Sequence, residues 1–240
     1  MMSIGRNVSQ YISFIPQSKI CSENNFVVFA KFLNKMADPN DKVMMDIRCN
    51  QLLTHSNVKA DILEIGAGTG INFPCLHNNT NIRSYIGIEP NTHMEPYFNN
   101  AVNQWKVPFE TRLLNYSATD MQEVQSNSID TVIMTLVFCS IPDPLPHQVI
   151  REVHRILKPG GKFLFFEHIS ANYETQPFTY GFQRTIEPLW AIIGDGCRFK
   201  PMTNYFDGAK DLFSKVDYQT CDFPTPIFFV KEAIKGILIK

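Results

Sequence analysis

Three glycines at alternate positions, Gly66, Gly68 and Gly70, follow a short apolar run that carries one carboxylate, Glu64. The apolar run predicts a buried strand, and the glycines predict a tight turn that leads into a helix. Glycine suits such a turn because a Cβ atom would block the close approach of a ligand to the backbone. The spacing therefore predicts a ligand-binding loop at residues 66–70.

The position of the third glycine separates two classes of ligand. Dinucleotide-binding loops carry G-x-G-x-x-G, in which the last glycine stands one place later. Ile71 occupies that place in this chain. An NAD-dependent oxidoreductase is therefore a disfavoured alternative.

A second carboxylate, Glu89, follows the apolar run 84–88 and lies 23 residues after Gly66. Ligands of open α/β sheets bind beyond the carboxyl ends of the strands, where an acidic residue can accept hydrogen bonds from ribose hydroxyls. We interpret Glu89 as a ribose ligand, and the alternative is an acidic residue exposed in a loop.

Strands and helices alternate from residue 60 onward, which predicts an α/β fold with a doubly wound, mostly parallel sheet of seven strands. Strands are predicted at 60–65, 84–88, 110–114, 130–135, 162–167, 215–222 and 234–240. Helices are predicted at 69–77, 92–104, 145–156 and 180–193. The sequence L-K-P-G-G at 157–161 predicts a turn that ends the third of these helices.

The chain is divided into an N-terminal helical extension, 1–57, and one domain, 58–240. Apolar residues at steps of three and four predict a helix at 23–36. A second helix is predicted from a cap at Asn40 or Asp41 to about His55. These helices are interpreted either as a lid over the ligand or as packing against one edge of the sheet.

Composition restricts the partners. The formal net charge is −1 and no long basic run is present, so nucleic acid is not expected as a partner. No stretch reaches the roughly 18 apolar residues that span a bilayer. The first residues lack the pattern of a signal peptide, so an intracellular, cytoplasmic protein is expected.

The six cysteines are scattered without a C-x-x-C pair, which predicts reduced and mostly buried thiols. His147 and His154 lie seven residues apart on a predicted helix and no third ligand is evident, so no metal site is predicted.

Residues 60–168 resemble the class I S-adenosylmethionine (SAM) methyltransferases of the type 11 group. The resemblance rests on E-x-G-x-G-x-G at 64–70, the acid at 89, the polar loop 117–121, the strand 130–135 and L-K-P-G-G at 157–161. It implies a Rossmann-like fold and SAM as the cofactor. The cofactor-binding residues that it implies are Glu64, Gly66, Ala67, Gly68, Gly70, Glu89, Pro90, Ala118, Thr119, Thr135 and Leu136.

The loop 117–121 would contact the adenine ring by this resemblance. A helix N-cap at Ser117 or Thr119 is an alternative that is compatible with the contact.

A closer resemblance covers about 60–240 and concerns the mammalian methyltransferase-like family of alkyl-thiol methyltransferases. The strings that carry it are T-L-V-F-C-S at 135–140, R-E-V at 151–153, E-H at 167–168, E-P-L-W at 187–190 and G-D-G-C at 194–197. It implies a small, apolar methyl acceptor such as an alkyl thiol. An O- or C-methyltransferase of a quinone or lipid and a non-catalytic SAM-binding protein are the alternatives.

Those relatives are anchored to the endoplasmic reticulum and lipid droplets by an N-terminal hydrophobic segment. The corresponding segment of this chain, residues 1–20, is too short and too polar to anchor in the same way, so the resemblance implies at most a peripheral contact with a membrane surface. The oligomeric state is not predicted.

His168 and Asp195 are the candidate catalytic residues. His168 follows a predicted strand and could take a proton or orient the acceptor, and the alternative is a structural histidine paired with Glu167 or Asp195. Asp195 stands between two glycines, and a turn or cap is its alternative role. Aromatic residues over 173–199 predict an apolar acceptor pocket, with ordinary helix packing as the alternative.

Overall fold

The computed structural model describes residues 26–31 and 41–240. The strands of this part are β1 (Ala60–Ile65), β2 (Ile82–Ile88), β3 (Glu110–Leu114), β4 (Ile129–Thr135), β5 (Leu157–His168), β6 (Lys215–Asp222) and β7 (Glu232–Ile239). They form one sheet in the order β3-β2-β1-β4-β5-β7-β6. Neighbouring strands are parallel except at β7, which is antiparallel to β5 and β6. The predicted doubly wound, mostly parallel sheet of seven strands is confirmed.

Helices connect the strands. They are α1 (Lys42–Met45), α2 (Phe73–Leu76), α3 (Glu95–Gln104), α4 (Pro146–Ile156), α5 (Pro177–Ile193) and α6 (Met202–Asp207). A π-helical stretch, Asp46–Leu52, continues α1, and 3₁₀ turns cover Thr92–Met94, Phe138–Ser140 and Phe228–Val230. Over the described ranges, no helix has the length and apolar character needed to cross a bilayer.

The sheet lies between two apolar layers. Along β5, Phe163 and Phe165 belong to one buried cluster, while Leu164 and Phe166 belong to the other. Side chains of a strand alternate between the two faces of the sheet, so both faces of β5 are covered. Val153 of α4 packs in the first layer. Burial on both faces explains why the central strands are continuous apolar runs in the sequence.

The order of the strands reverses between β1 and β4, which are neighbours at the centre of the sheet. The loops that follow these two strands leave the same edge of the sheet in opposite directions. Such a point is where ligands bind in open α/β sheets. The fold therefore places loop 66–70 where the sequence analysis expects a ligand.

The L-K-P-G-G segment follows directly on the end of α4, as predicted, but it forms a bulge within β5 rather than a turn before the strand. Leu157 already pairs with Ile129, and the next paired residue is Lys162. Gly160 has a φ of +76°, and its N–H donates to the Lys240 carbonyl at 2.9 Å. The segment leaves the ladder and returns to it, so β5 begins at Leu157 rather than at residue 162.

The helical extension agrees in part with the prediction. The Asp41 side chain accepts hydrogen bonds from the N–H groups of Val43 and Met44, both at 3.1 Å, and so caps α1 as predicted. Residues 26–31 are helical, and the rest of the helix predicted at 23–36 lies outside the described residues. The role of the extension as a lid stays a prediction.

A disulfide joins Cys49 to Cys75, with their Cα atoms 4.8 Å apart. The prediction of reduced thiols is therefore wrong for this pair. The bond links the π-helical stretch to α2, which follows the glycine loop. Cys139, Cys197 and Cys221 are free thiols, and the first two are buried. Cys21 lies outside the described residues.

Removing this disulfide is expected to lower the free energy of unfolding by about 3 kcal/mol, because the bond restricts the unfolded chain. The two cysteines are 26 residues apart, which sets the size of the closed loop. The measurement is a urea unfolding curve of the wild type with and without reductant, beside the double variant Cys49→Ser/Cys75→Ser. Reductant should not move the curve of the double variant. Equal curves for oxidised wild type and double variant would contradict the prediction.

Candidate functional site

The glycine loop crosses the carboxyl end of β2. Gly66, Gly68 and Gly70 have φ values of +68°, +53° and +78°, in the left-handed region that favours glycine. The N–H groups of Gly66 and Ala67 both donate to the Ile88 carbonyl, at 2.8 and 3.2 Å. The predicted tight turn is present, although α2 begins at Phe73 rather than at residue 69.

Glu89 fixes this loop through both carboxylate oxygens. Its Oε2 accepts a hydrogen bond from the Gly68 N–H at 3.0 Å, and its Oε1 accepts one from the Asn91 N–H at 2.9 Å. A carboxylate oxygen has two lone pairs, so each oxygen can accept one further hydrogen bond. Glu89 therefore shapes the loop and retains two acceptor positions, as ribose hydroxyls require. Pro90 follows it and is exposed.

Burial raises the pKa of Glu89 to about 7, although the two backbone N–H groups favour the charged form. The charge of Asp195 also raises this pKa. The carboxyl group therefore changes its charge near neutral pH.

SAM binding is expected to tighten about tenfold between about pH 6 and pH 8, since the ionised fraction of a group with a pKa of about 7 rises about tenfold over that range. In the predicted ribose contact the ionised carboxylate would accept from both hydroxyls, whereas the protonated group would lose one acceptor position. The measurement is the calorimetric Kd at both pH values. Glu89→Gln should bind weakly and with the same Kd at both. A variant that keeps the wild-type pH dependence would contradict the assignment to Glu89.

Glu64 lies beneath the loop rather than at its surface. Its Oε1 accepts a hydrogen bond from Asn72 Nδ2 and its Oε2 one from the Tyr85 hydroxyl, both at 2.7 Å. Burial raises the pKa of Glu64 to about 7. The network links β1 to the start of α2, and Asn72 Nδ2 also donates to Thr135 Oγ1 at 3.1 Å. Glu64 would therefore contribute to cofactor binding by orienting the side chain of Asn72.

Asn72 was not singled out by the sequence. Its Oδ1 is buried and has no hydrogen-bond partner among the described residues. An unpaired buried acceptor is costly, and a donor on a bound ligand would remove that cost. The position beside Thr135 and Glu64, at the end of β4 and β1, fits an ammonium or hydroxyl group of a bound cofactor.

Arg48 is a second residue that the sequence analysis missed. It is buried in the π-helical stretch, and burial lowers its pKa while the carboxylate of Glu64 acts in the opposite direction. The extension thus brings a cation towards the acid of the glycine motif. Its sequence context holds no signal for this, because an arginine in an amphipathic helix is usually exposed.

The loop after β4 is held by Glu167. Leu136 has a φ of +59°, and its N–H donates to the Phe166 carbonyl at 2.8 Å. The next two N–H groups, of Val137 and Phe138, donate to the two carboxylate oxygens of Glu167 at 3.0 and 3.1 Å. Burial raises the pKa of Glu167 to about 8. This turn presses Val137 against Gly66.

The loop of Ala118 and Thr119 is a turn tied to α4. The Thr119 carbonyl accepts a hydrogen bond from Gln148 Nε2 at 2.8 Å, and the hydroxyls of Ser117 and Thr119 are 2.9 Å apart. No helix begins at this turn, so the alternative of a helix N-cap is wrong. Contact with an adenine ring stays a prediction.

His168 and Asp195 come to the same edge of the sheet as the glycine loop. His168 Nε2 lies 2.8 Å from Cys197 Sγ, so its neighbour is neither of the acids considered as structural partners. Asp195 has a φ of +51° in the loop that carries Cys197. Burial raises the pKa of Asp195.

The aromatic residues of 173–199 divide into two groups. Trp190 and Phe199 stack with their ring centroids 5.9 Å apart, and Phe199 also meets the edge of His168 at 5.6 Å. Tyr173 and Phe178 are exposed, the latter with 77% of its surface accessible. Trp190 and Phe199 are therefore the aromatic residues of this segment that pack together beside His168.

The chain is similar in sequence to known proteins. Residues 63–165 match a family model described as a methyltransferase domain. Human thiol S-methyltransferase TMT1B is 34% identical over 145 residues, which cover 60% of this chain and 57% of that protein. Human thiol S-methyltransferase TMT1A is 31% identical over 183 residues, which cover 76% of this chain and 71% of that protein. The chain thus spans less than two thirds of the length of human TMT1B and slightly more than two thirds of the length of human TMT1A.

A solved structure of a SAM-dependent methyltransferase from Methanosarcina mazei has the same fold. The TM-score is 0.58 at 19% identity, and the match covers 78% of this chain and 95% of that one.

Proposed function

Because this chain belongs to the class I SAM-dependent methyltransferases, in the family that contains the thiol S-methyltransferases TMT1A and TMT1B, we propose that it methylates a small apolar thiol. The observation that carries the proposal is the carboxylate of Glu89, which closes the glycine loop and keeps two acceptor positions. That arrangement supports binding of a ribose beside a backbone that approaches the ligand closely.

The residues present fit SAM. Glu89 would hold the ribose, the backbone of the glycine loop would line the cofactor, and Asn72 Oδ1 is a buried acceptor for a donor group. The bound cofactor supplies a methyl group on a positively charged sulfur. The chain must then bring the acceptor into line with that methyl group, and positioning alone can contribute roughly 7–11 kcal/mol.

Two observations support a thiol acceptor. The relatives are named thiol S-methyltransferases, and aromatic side chains lie beside His168. Trp190 and Phe199 are apolar surfaces beside His168 and would exclude water from the acceptor. A thiol with a pKa of about 8.5 is partly ionised at neutral pH and needs little help from a base. An oxygen or carbon acceptor would need a general base. His168 Nε2 is engaged with Cys197, and its Nδ1 is buried without a hydrogen-bond partner among the described residues.

Asp195 and His168 are assigned to the acceptor side within this proposal. Both lie at the edge of the sheet that carries Glu89, and neither is fully exposed. Their contribution would be to orient the acceptor, since the thiol reaction does not require a strong base.

The test has two stages. Calorimetric titrations with SAM and with NAD come first, and SAM binding without NAD binding is expected. A panel of alkyl thiols, phenols and quinols is then incubated with SAM, and S-adenosylhomocysteine and the methylated product are measured by mass spectrometry. Turnover of an alkyl thiol is the expected result. Turnover of a phenol or quinol alone would overturn the thiol acceptor, and absence of SAM binding would overturn the methyltransferase.

A further inference from the structure

Three side chains with metal-binding atoms meet beside the candidate site. They are Cys139 after β4, His168 at the end of β5 and Cys197 after α5. Their two sulfur atoms and one imidazole nitrogen all lie within 4.8 Å of one another. The residues are only 2%, 5% and 8% exposed, so the cluster is enclosed by protein. Their separation in the sequence explains why the histidine spacing considered earlier did not reveal them.

The donor set is one that zinc binds in proteins. Two cysteines and one histidine are found in zinc sites that keep a fourth position open, with bonds of roughly 2.3 Å to sulfur and 2.0 Å to nitrogen. Tetrahedral geometry then separates sulfur from nitrogen by roughly 3.5 Å. His168 Nε2 and Cys197 Sγ are 2.8 Å apart, so they would move apart by less than about 1 Å to admit the ion.

Charge and hydrogen bonding around the sulfur atoms favour a bound cation. Two thiolates and a neutral imidazole balance the charge of Zn²⁺, so a buried complex carries no net charge. Trp190 Nε1 donates a hydrogen bond to Cys197 Sγ at 3.2 Å. Hydrogen bonds to ligand atoms orient metal ligands. The second ring nitrogen of the histidine, His168 Nδ1, is buried and has no hydrogen-bond partner among the described residues.

The cluster adjoins the glycine loop. Val137, two residues before Cys139, packs against Gly66, and Gly196, next to Cys197, faces the Ser140 carbonyl. Within the described ranges, no fourth His, Cys, Asp or Glu joins the three ligand atoms. A tetrahedral ion would therefore keep one position for a ligand other than these three side chains.

We propose that Cys139, His168 and Cys197 bind a zinc ion, and that its fourth ligand is the sulfur of the acceptor thiol. The second half of this proposal rests on the proposed function. The thiol loses its proton to solvent as its sulfur binds zinc. The zinc-bound sulfur then forms a bond to the methyl carbon while the bond from that carbon to the positive sulfur breaks. The electron pair of the broken bond stays on the departing sulfur, which gives a methyl thioether and neutral S-adenosylhomocysteine without an oxidant or reductant.

The first test measures the metal. The full chain is purified with a phosphine reductant, and zinc is determined by mass spectrometry against protein concentration. About one zinc per chain is expected for the wild type. Cys139→Ser and Cys197→Ser should lose it. Cys221→Ser should retain it, because Cys221 is a free thiol on β6 outside the cluster. Wild type that contains no zinc and takes up neither zinc nor cobalt would overturn the site, as would a Cys139–Cys197 disulfide that persists in reductant.

The second test needs no variant, so it does not depend on how a variant folds. Wild type loaded with Co²⁺ should show the absorption bands of cobalt bound to thiolate, and adding an alkyl thiol should shift them. Cobalt bands that do not respond to thiol would overturn the role of the fourth position. Thiol turnover by metal-free protein would overturn the zinc proposal and leave the proposed function intact. Zinc binding in a protein without thiol turnover would support the metal site and overturn the thiol acceptor.

Discussion

Gly66→Ala is expected to lower SAM affinity at least tenfold, to the limit of detection by calorimetry. A Cβ atom at this position would lie within 2.8 Å of both γ-carbons of Val137, which is closer than side chains approach one another. The φ of +68° adds roughly 1 kcal/mol of backbone strain for alanine. Val137 cannot easily retreat, because its own N–H is held by Glu167. The loop must therefore shift, which would disturb the backbone that the proposed cofactor approaches.

Gly160→Ala is the matched control. Gly160 has a similar φ of +76°, but a Cβ atom there meets nothing within 4 Å. Alanine at 160 should therefore lower stability by about 1 kcal/mol and leave SAM affinity unchanged. The double variant Gly66→Ala/Val137→Ala should recover part of the affinity, because it removes both γ-carbons but keeps the backbone strain and a close contact of 3.1 Å with the Cβ of residue 137. If Gly66→Ala bound SAM as tightly as the wild type, the loop would not be the cofactor site.

Glu89→Ala is expected to weaken SAM binding by a factor of ten or more, equivalent to at least about 1.4 kcal/mol. The substitution would remove the acceptors that we propose for both ribose hydroxyls. It also releases the N–H groups of Gly68 and Asn91, so the loop loses its support. Calorimetric titration with SAM measures the loss directly.

Glu110→Ala is the control for charge. Glu110 is an exposed carboxylate at the amino end of β3, the opposite end of the sheet from the glycine loop. Its removal likewise takes away one carboxyl group and should leave the Kd unchanged. Unchanged affinity in Glu89→Ala, with its folded state verified by circular dichroism, would remove Glu89 from the ribose site.

Features that depend on neighbouring residues could be predicted from the sequence. The strands at 60–65, 110–114 and 215–222 agree with the predicted bounds because alternation, turns and apolar runs are local signals. The glycine turn and the acid at 89 were predictable for the same reason. The bulge at 158–161 was not, since whether a glycine turn precedes a strand or interrupts it depends on the partner strand.

Features that depend on distant contacts could not be predicted. The link between Cys49 and Cys75 and the meeting of Cys139, His168 and Cys197 arise only when separate loops reach one edge of the sheet. α6 was missed because its six residues are too few for a clear helical period. These contacts belong to the topology rather than to any motif.

The position of β7 has a consequence for how the protein assembles during synthesis. β7 follows β6 in the chain but lies between β5 and β6, so β6 has no partner in the sheet until β7 has left the ribosome. The five parallel strands and the glycine loop are synthesised earlier, and domains begin to fold as their segments emerge. The edge of β5 therefore stays unpaired until β7 is synthesised and inserts between β5 and β6. A nascent chain can therefore complete its nucleotide-binding half while its other edge is still open to mispairing and aggregation.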